Sequence, residues 1–305
     1  MTSNLITLDS IGNYNQLFGY PTINKDITVI DSCTSTKRNN HYKALYDIYA
    51  IFLKTGGMCS MLYGQQKYDY KKGTAVCFNP GKEVIVDYDD NAIPPSAFGL
   101  LFSKDFIKNT VIEKTISKYH FLSYFPKEAL HLSDEEFSQL KTLMYEIQGL
   151  LSPDIPLNTK NKILTLINKI LKDIHNYYNR QFNSRKPYHH EIVLKFQKLL
   201  DEYFATNKPL TVGLPYVSYF ADQVFLSSGY FGDLIKKETG MSAQRIIQNK
   251  LIEKAKDYLD GDDLTITEIA DLLGFQYPQH FSRMFKNITG LSPKNYRSLK
   301  DSEIQ

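Results

Sequence analysis

The chain has 305 residues, of which 42% are apolar and 23% charged, and a formal net charge of +3. That length is past the roughly 250–300 residues at which one core stops growing, so two or three domains are expected. The composition excludes wholesale disorder, and no apolar run nears the roughly 20 residues of a membrane span. Three cysteines (Cys33, Cys59, Cys77) without a C-x-x-C pair exclude a disulfide scaffold or zinc knuckle.

The opening stretch has neither a basic nor an apolar export region, so a cytoplasmic protein is expected. The first 130 residues read as β structure. Ile27–Ile30, Asp47–Leu53, Cys59–Tyr63, Thr74–Phe78, Glu83–Tyr88 and Phe98–Phe102 are short and rich in Val, Ile, Tyr and Phe. Turn residues separate them, as at Gly56-Gly57, Gly73, Asn79-Pro80-Gly81 and Asn91 to Pro95. Such spacing predicts a sandwich or barrel, with tyrosines either lining a cavity or forming its wall.

From Ser133 the period changes. Ser133-Asp134-Glu135-Glu136 is a capping box, and Phe137, Leu140, Met144, Ile147 and Leu151 then keep helical spacing. A second amphipathic helix is predicted from Thr159, with Ile163, Ile167, Ile170, Ile174 and Tyr177 on one stripe. The pair, residues 131–186, is expected to dock on the β domain or to dimerise. Asn183 to His190 is predicted as a linker, and His189-His190-Glu191 as surface residues, because adjacent side chains point apart.

Residues 187–305 contain an internal repeat. Ala221-Asp222, Phe231, Leu234, Ile235, Lys236, Thr239-Gly240 and Met241-Ser242 recur as Ala270-Asp271, Phe281, Met284, Phe285, Lys286, Thr289-Gly290 and Leu291-Ser292. The offset grows from 49 at the alanines to 50 at the glycines, so the second copy has one extra residue in its turn. Each copy reads as helix, short turn, helix, and Ala243 to Leu259 reads as a rod between them. Ser227 is a predicted N-cap and Pro278 a predicted first helical residue. A second helix standing out from such a pair fits the major groove of DNA.

With Phe281, Met284 and Phe285 inward, the second copy presents Gln279, His280, Ser282 and Arg283 for base contacts. The first presents Ser228, Tyr230 and Asp233. Lys236, Lys237, Lys250, Lys286, Lys294 and Arg297 are candidate phosphate contacts. They stand in a near-neutral segment, since residues 190–305 carry 14 basic and 15 acidic side chains.

These residues resemble the DNA-binding region of the AraC/XylS family of bacterial transcription regulators. The resemblance is carried by Ile269-Ala270-Asp271-Leu272-Leu273-Gly274-Phe275, by His280 through Lys286, by Gly290 through Arg297, and by Lys236 through Ser242. It implies an all-α domain with two helix-turn-helix units, binding of double-stranded promoter DNA, and recruitment of RNA polymerase. Asp233 stands where many members carry a basic residue. The N-terminal region, at Gly73 through Gly81, is similar to the cupin-like antiparallel β barrels that serve such proteins as effector-binding and dimerisation modules.

Multidomain α+β architecture is therefore expected: a cupin-like barrel (1–130), a helical connector (131–186) and the DNA-binding domain (187–305). The function expected is a sequence-specific transcription regulator, with an activator role, a homodimer and a small-molecule effector implied. The alternative is a cupin-type metalloenzyme fused to a DNA-binding domain. His41 is isolated and KEVIVDY after Gly81 has no histidine, so no metal, cofactor or catalytic residue is assigned.

Overall fold

Two short turns carry the chain from one β-sheet to the other at the same level, and they make the corner on which the N-terminal unit is built. β3 (His41–Tyr46) passes into β4 (Tyr49–Thr55) through two residues, and β5 (Thr74–Phe78) into β6 (Lys82–Asp87) through Asn79-Pro80-Gly81. β3 pairs with β6 and β4 with β5, both antiparallel, so the four strands form one long ribbon bent at Asp47-Ile48 and at Gly81. Gly81 takes φ +87 there and donates its N–H to the Tyr46 carbonyl at 2.7 Å. The computed structural model describes residues 5–37, 39, 41–55, 73–87, 96–206, 208–261 and 264–303. The predicted strand at Cys59–Tyr63 and the turn at Asn91 to Pro95 lie outside them.

β1 (Leu5–Leu8) adds in parallel to β3, giving a three-stranded sheet of order β1-β3-β6. β2 (Ile27–Asp31), β7 (Ser96–Phe102) and β8 (Leu130–His131) complete a five-stranded sheet of order β2-β7-β4-β5-β8. Between the sheets lie Leu8, Ile30, Ala44, Tyr46, Phe52, Val76, Phe78, Val84 and Leu101, with Tyr14 of α1 (Ile11–Phe18). Burial pushes the Tyr42 phenol beside this cluster up to about 12. The expected cupin-like barrel does not close: among the described residues no ladder joins the edges of the two sheets, and the strands make two open sheets sharing a corner.

The outer face of the five-stranded sheet is equally apolar, with Ile51 and Leu53 fully buried. After two short helices, α2 (Lys104–Ile107) and α3 (Val111–Thr115), the chain covers that sheet with α4 (Asp134–Gly149) and α5 (Leu157–Ser184). Ser133 and Glu136 form the capping box, each accepting from the other's backbone N–H. Ile163, Ile167, Ile170, Leu171 and Ile174 are completely buried along α5. Gln181 accepts from His131 N–H and donates to Ala129 O, which satisfies the edge of β8. Arg180 forms a two-pronged pair with Glu136 and reaches the His131 carbonyl. The connector's apolar stripe is thus spent on the β unit.

The predicted linker is largely helical. α5 runs to Ser184 and α6 (Lys186–Ala205) starts two residues later, with Pro187 in its first turn, where the missing N–H leaves no helical bond unmade. The chain divides here into two compact units, 1–184 and 185–305. The second unit continues with α7 (Lys208–Val212), α8 (Val217–Gln223), α9 (Ser228–Thr239), α10 (Ala243–Leu259), α11 (Ile266–Leu272), α12 (Pro278–Thr289) and α13 (Pro293–Glu303). Phe196 of α6 packs edge-on against Phe220 of α8 and Phe231 of α9, both at 5.2 Å between ring centres. Phe275, Phe281, Phe285 and Tyr296 form the matching chain of rings in the second half.

Candidate nucleic-acid interface

The repeat in the sequence is a repeat in hydrogen bonds. At the turn of the first pair, α8–α9, Phe225 N–H donates to Asp222 O at 3.0 Å and Leu226 N–H to Ala221 O at 2.9 Å. At the turn of the second, α11–α12, Gly274 N–H donates to Asp271 O and Phe275 N–H to Ala270 O, each at 2.9 Å. Ala221 and Ala270 are both fully buried at the crossings, where a larger side chain would force the helices apart. The exits match as well. Thr239 Oγ1 bonds Ile235 O and Met241 O at 2.7 and 3.1 Å, and Thr289 Oγ1 bonds Phe285 O and Leu291 O at 2.8 and 3.1 Å. Ser242 and Ser292 then accept from Arg245 N–H and Asn295 N–H, both at 3.2 Å.

The two turns differ in one respect. Gly274 (φ +87) is overlain by backbone, and a Cβ there would lie 2.6 Å from the Gly213 carbonyl carbon. Its counterpart Phe225 also takes a left-handed conformation (φ +58), but its ring is 71% exposed.

At 100° per residue, α12 separates into two arcs. Phe281 and Phe285 are fully buried and Met284 and Ile288 pack beside them. Gln279, His280, Arg283, Lys286 and Asn287 are exposed on the other side, with Ser282 half-buried at the arc's edge. Asn287 was absent from the sequence-based set. Its signal was the same helical period, carried one turn further.

α9 is barer. Ser228, Lys236 and Lys237 are exposed, and Gly229, Gly232 and Asp233 are half-buried on the same side. A Cβ added at Gly232 would meet nothing within 4 Å. Tyr230, expected on this face, is a correction: it is 2% exposed and its hydroxyl lies 3.1 Å from Nε2 of His189 in α6. The expectation for His189 is corrected with it, since that histidine is completely buried while His190 is exposed.

Two candidate phosphate contacts are also corrected. Lys250 is held by Asp201 of α6 at 2.8 Å and Glu253 at 3.1 Å, and the Asp201 carboxylate keeps its ammonium above the ordinary lysine range. Arg297 is half-buried, with Nε donating to the Leu259 carbonyl at 3.3 Å, and so ties α13 to the end of α10. Lys236, Lys237, Lys286 and Lys294 are exposed. The first three lie in the last turns of α9 and α12, where they also complement the helix dipole.

The helix-turn-helix domain family matches residues 220–298, from within α8 to within α13. The chain is 36% identical over 78 residues to the uncharacterized transcriptional regulatory protein YesN of Bacillus subtilis, covering 25% of this chain and 21% of that protein. It is 33% identical over 85 residues to the HTH-type transcriptional activator RhaS of Escherichia fergusonii, covering 28% and 31%. Residues 220–298 are an AraC-type helix-turn-helix domain.

The AraC-type unit is also similar to the C-terminal domain of AraT, a response regulator from Geobacillus stearothermophilus. That likeness is 28% identical, covers 35% of this chain and 84% of that one, and has a TM-score of 0.32. The chain spans 11% to 31% of the length of the curated relatives it matches. Among the described residues no group of three or more His, Cys, Asp and Glu side chains could hold a metal ion outside or inside the AraC-type unit. No described helix is long and apolar enough to cross a membrane. Cys33 is exposed, whereas Cys77 is buried and its thiol is pushed up by that burial.

Proposed function

We propose that this protein is a sequence-specific transcription regulator whose α9 and α12 enter successive major grooves on one side of a DNA duplex. The observation that carries the reading is the exposed arc of α12, where Gln279 and Arg283 stand one turn apart above a fully buried ring pair. Glutamine pairs with the adenine edge and arginine with both guanine acceptors. Ser282 and His280 flank them. The proposed phosphate contacts are Lys236, Lys237, Lys286 and Lys294. α10, 17 residues and about 25 Å long, joins the two pairs, and the reading requires α9 and α12 to meet the duplex about one DNA turn, roughly 34 Å, apart.

α9 supplies a different contact. Ser228, Gly229 and Gly232 give it a face low enough to lie close against the base edges, and Asp233 can accept from a cytosine amino group. Gly232→Ala is accordingly expected to stabilise the unit by about 0.5–1 kcal/mol, because a glycine inside a helix is unfavourable by that amount relative to alanine. The same methyl is expected to weaken DNA binding several-fold. Thermal melting and duplex titration of one protein preparation check the opposite signs.

The N-terminal unit is the proposed sensing and dimerisation module. The reading gives this unit a small-molecule effector, with the aromatic cluster of Tyr14, Phe18, Tyr42, Tyr46 and Phe52 as its apolar interior, and gives the protein an activator role through recruitment of RNA polymerase. Selection of bound sequences from a random duplex library tests the core of the proposal. It is expected to return a motif in two blocks, one per major groove. Recovery of no motif, or of one confined to a single groove, contradicts it.

A further inference from the structure

His189 lies in the first turns of α6, is fully buried, and touches α9 at both of its ends. Its Nε2 is 3.1 Å from the Tyr230 hydroxyl near the start of that helix, and its Nδ1 is 3.8 Å from Glu238 Oε1 near the end. Eight residues, about 12 Å of helix, separate these partners. With the phenol donating to Nε2, a neutral ring carries its proton on Nδ1, which is buried on the side of the Glu238 carboxylate but beyond hydrogen-bond reach of it. The second pair is built otherwise. At the position of Tyr230 it carries His280, which is exposed and edge-on to Tyr277 at 5.5 Å.

The rest of the contact between α6 and α9 is apolar, centred on Phe196 and Phe231. Apolar packing resists separation more than rotation, whereas a buried directional hydrogen bond allows one arrangement. Rotation matters more for α9 than for α12. The residues of α9 read as meeting bases are serine, glycine and aspartate, which reach a partner only over a short span, while α12 extends glutamine and arginine.

We infer that His189 is the positioning residue of the first DNA-facing helix, fixing through its hydrogen bond to Tyr230 the rotation of α9 and hence the base pairs it meets. This rests on the reading of α9 as a groove-binding helix. The test uses the full chain, the two-block duplex recovered by selection, and duplexes with either block scrambled. The variants are His189→Phe, which keeps volume, His189→Gln, which keeps an amide at similar reach, and Tyr230→Phe, which removes only the hydroxyl.

His189→Phe and Tyr230→Phe are expected to reduce the preference for the correct first block about tenfold, near the upper end for one hydrogen bond, and to keep the second-block preference. His189→Gln is expected to retain most of the first-block preference. If His189→Phe does not fold, Tyr230→Phe carries the comparison. Unchanged first-block preference in both phenylalanine variants, or an equal loss at both blocks, overturns the inference while the wild-type two-block preference stands. A wild-type protein indifferent to the first block overturns it together with the reading of α9.

Discussion

Gly274→Ala is expected to destabilise the C-terminal unit by about 2–4 kcal/mol, combining a left-handed backbone penalty with overpacking against atoms that cannot rotate away. The added methyl would lie 2.6 Å from the Gly213 carbonyl carbon, 2.7 Å from Pro209 O and 2.8 Å from Gly213 O. All three are backbone atoms of α7 and the residue that follows it, so relief requires that segment to lift. Tyr203 holds the same segment in place by donating its hydroxyl to Gly213 O at 2.9 Å. In the first pair Phe225 occupies the equivalent left-handed position with its side chain 71% exposed. Urea unfolding followed by a probe in the second unit measures the effect. A loss below about 1 kcal/mol, the size of the backbone penalty alone, would show that the contact with 209–213 is not maintained in solution.

Arg283→Ala is expected to remove about 1–3 kcal/mol of discrimination at one base pair of the selected motif and to leave folding intact. The side chain is exposed, one turn from Gln279 on the arc opposite Phe281 and Phe285. Lys286→Ala is the contrasting variant. Loss of a phosphate contact weakens all sequences alike and lowers the salt slope by about one. Titrations at several salt concentrations against motif and single-substitution duplexes separate the two. An Arg283→Ala protein with unchanged motif and affinity would contradict the assigned reading face.

What was legible in the sequence was local. Ser133 and Glu136 announce a helix start because both cap bonds close within three residues. Phe281 and Phe285 announce the inward face of α12 because burial follows the period of the helix. The exits at Thr239 and Thr289 repeat because a hydroxyl, a glycine and a serine cap act over a few residues. What was not legible depends on chain far away. Tyr230 fits the outward period as well as His280 does, and only the passage of α6 alongside α9 buries it. Lys250 and Arg297 are basic residues on helices, and their diversion to Asp201 and the Leu259 carbonyl is a tertiary fact. Pro187 marks a helix start as readily as a break. Strand spacing alone does not distinguish a closed barrel from two sheets joined at one bent ribbon.

The central claim is that α9 and α12 occupy neighbouring major grooves of one duplex. Site-directed DNA cleavage tests it most directly, using an iron chelate attached through a cysteine introduced at Lys237 in one protein and at Asn287 in another, with the native cysteines replaced. Two cleavage centres about one helical turn apart on the same face of the selected duplex are the expected result. Cleavage from both positions within one groove, or none from the chelate on α9, would contradict the account.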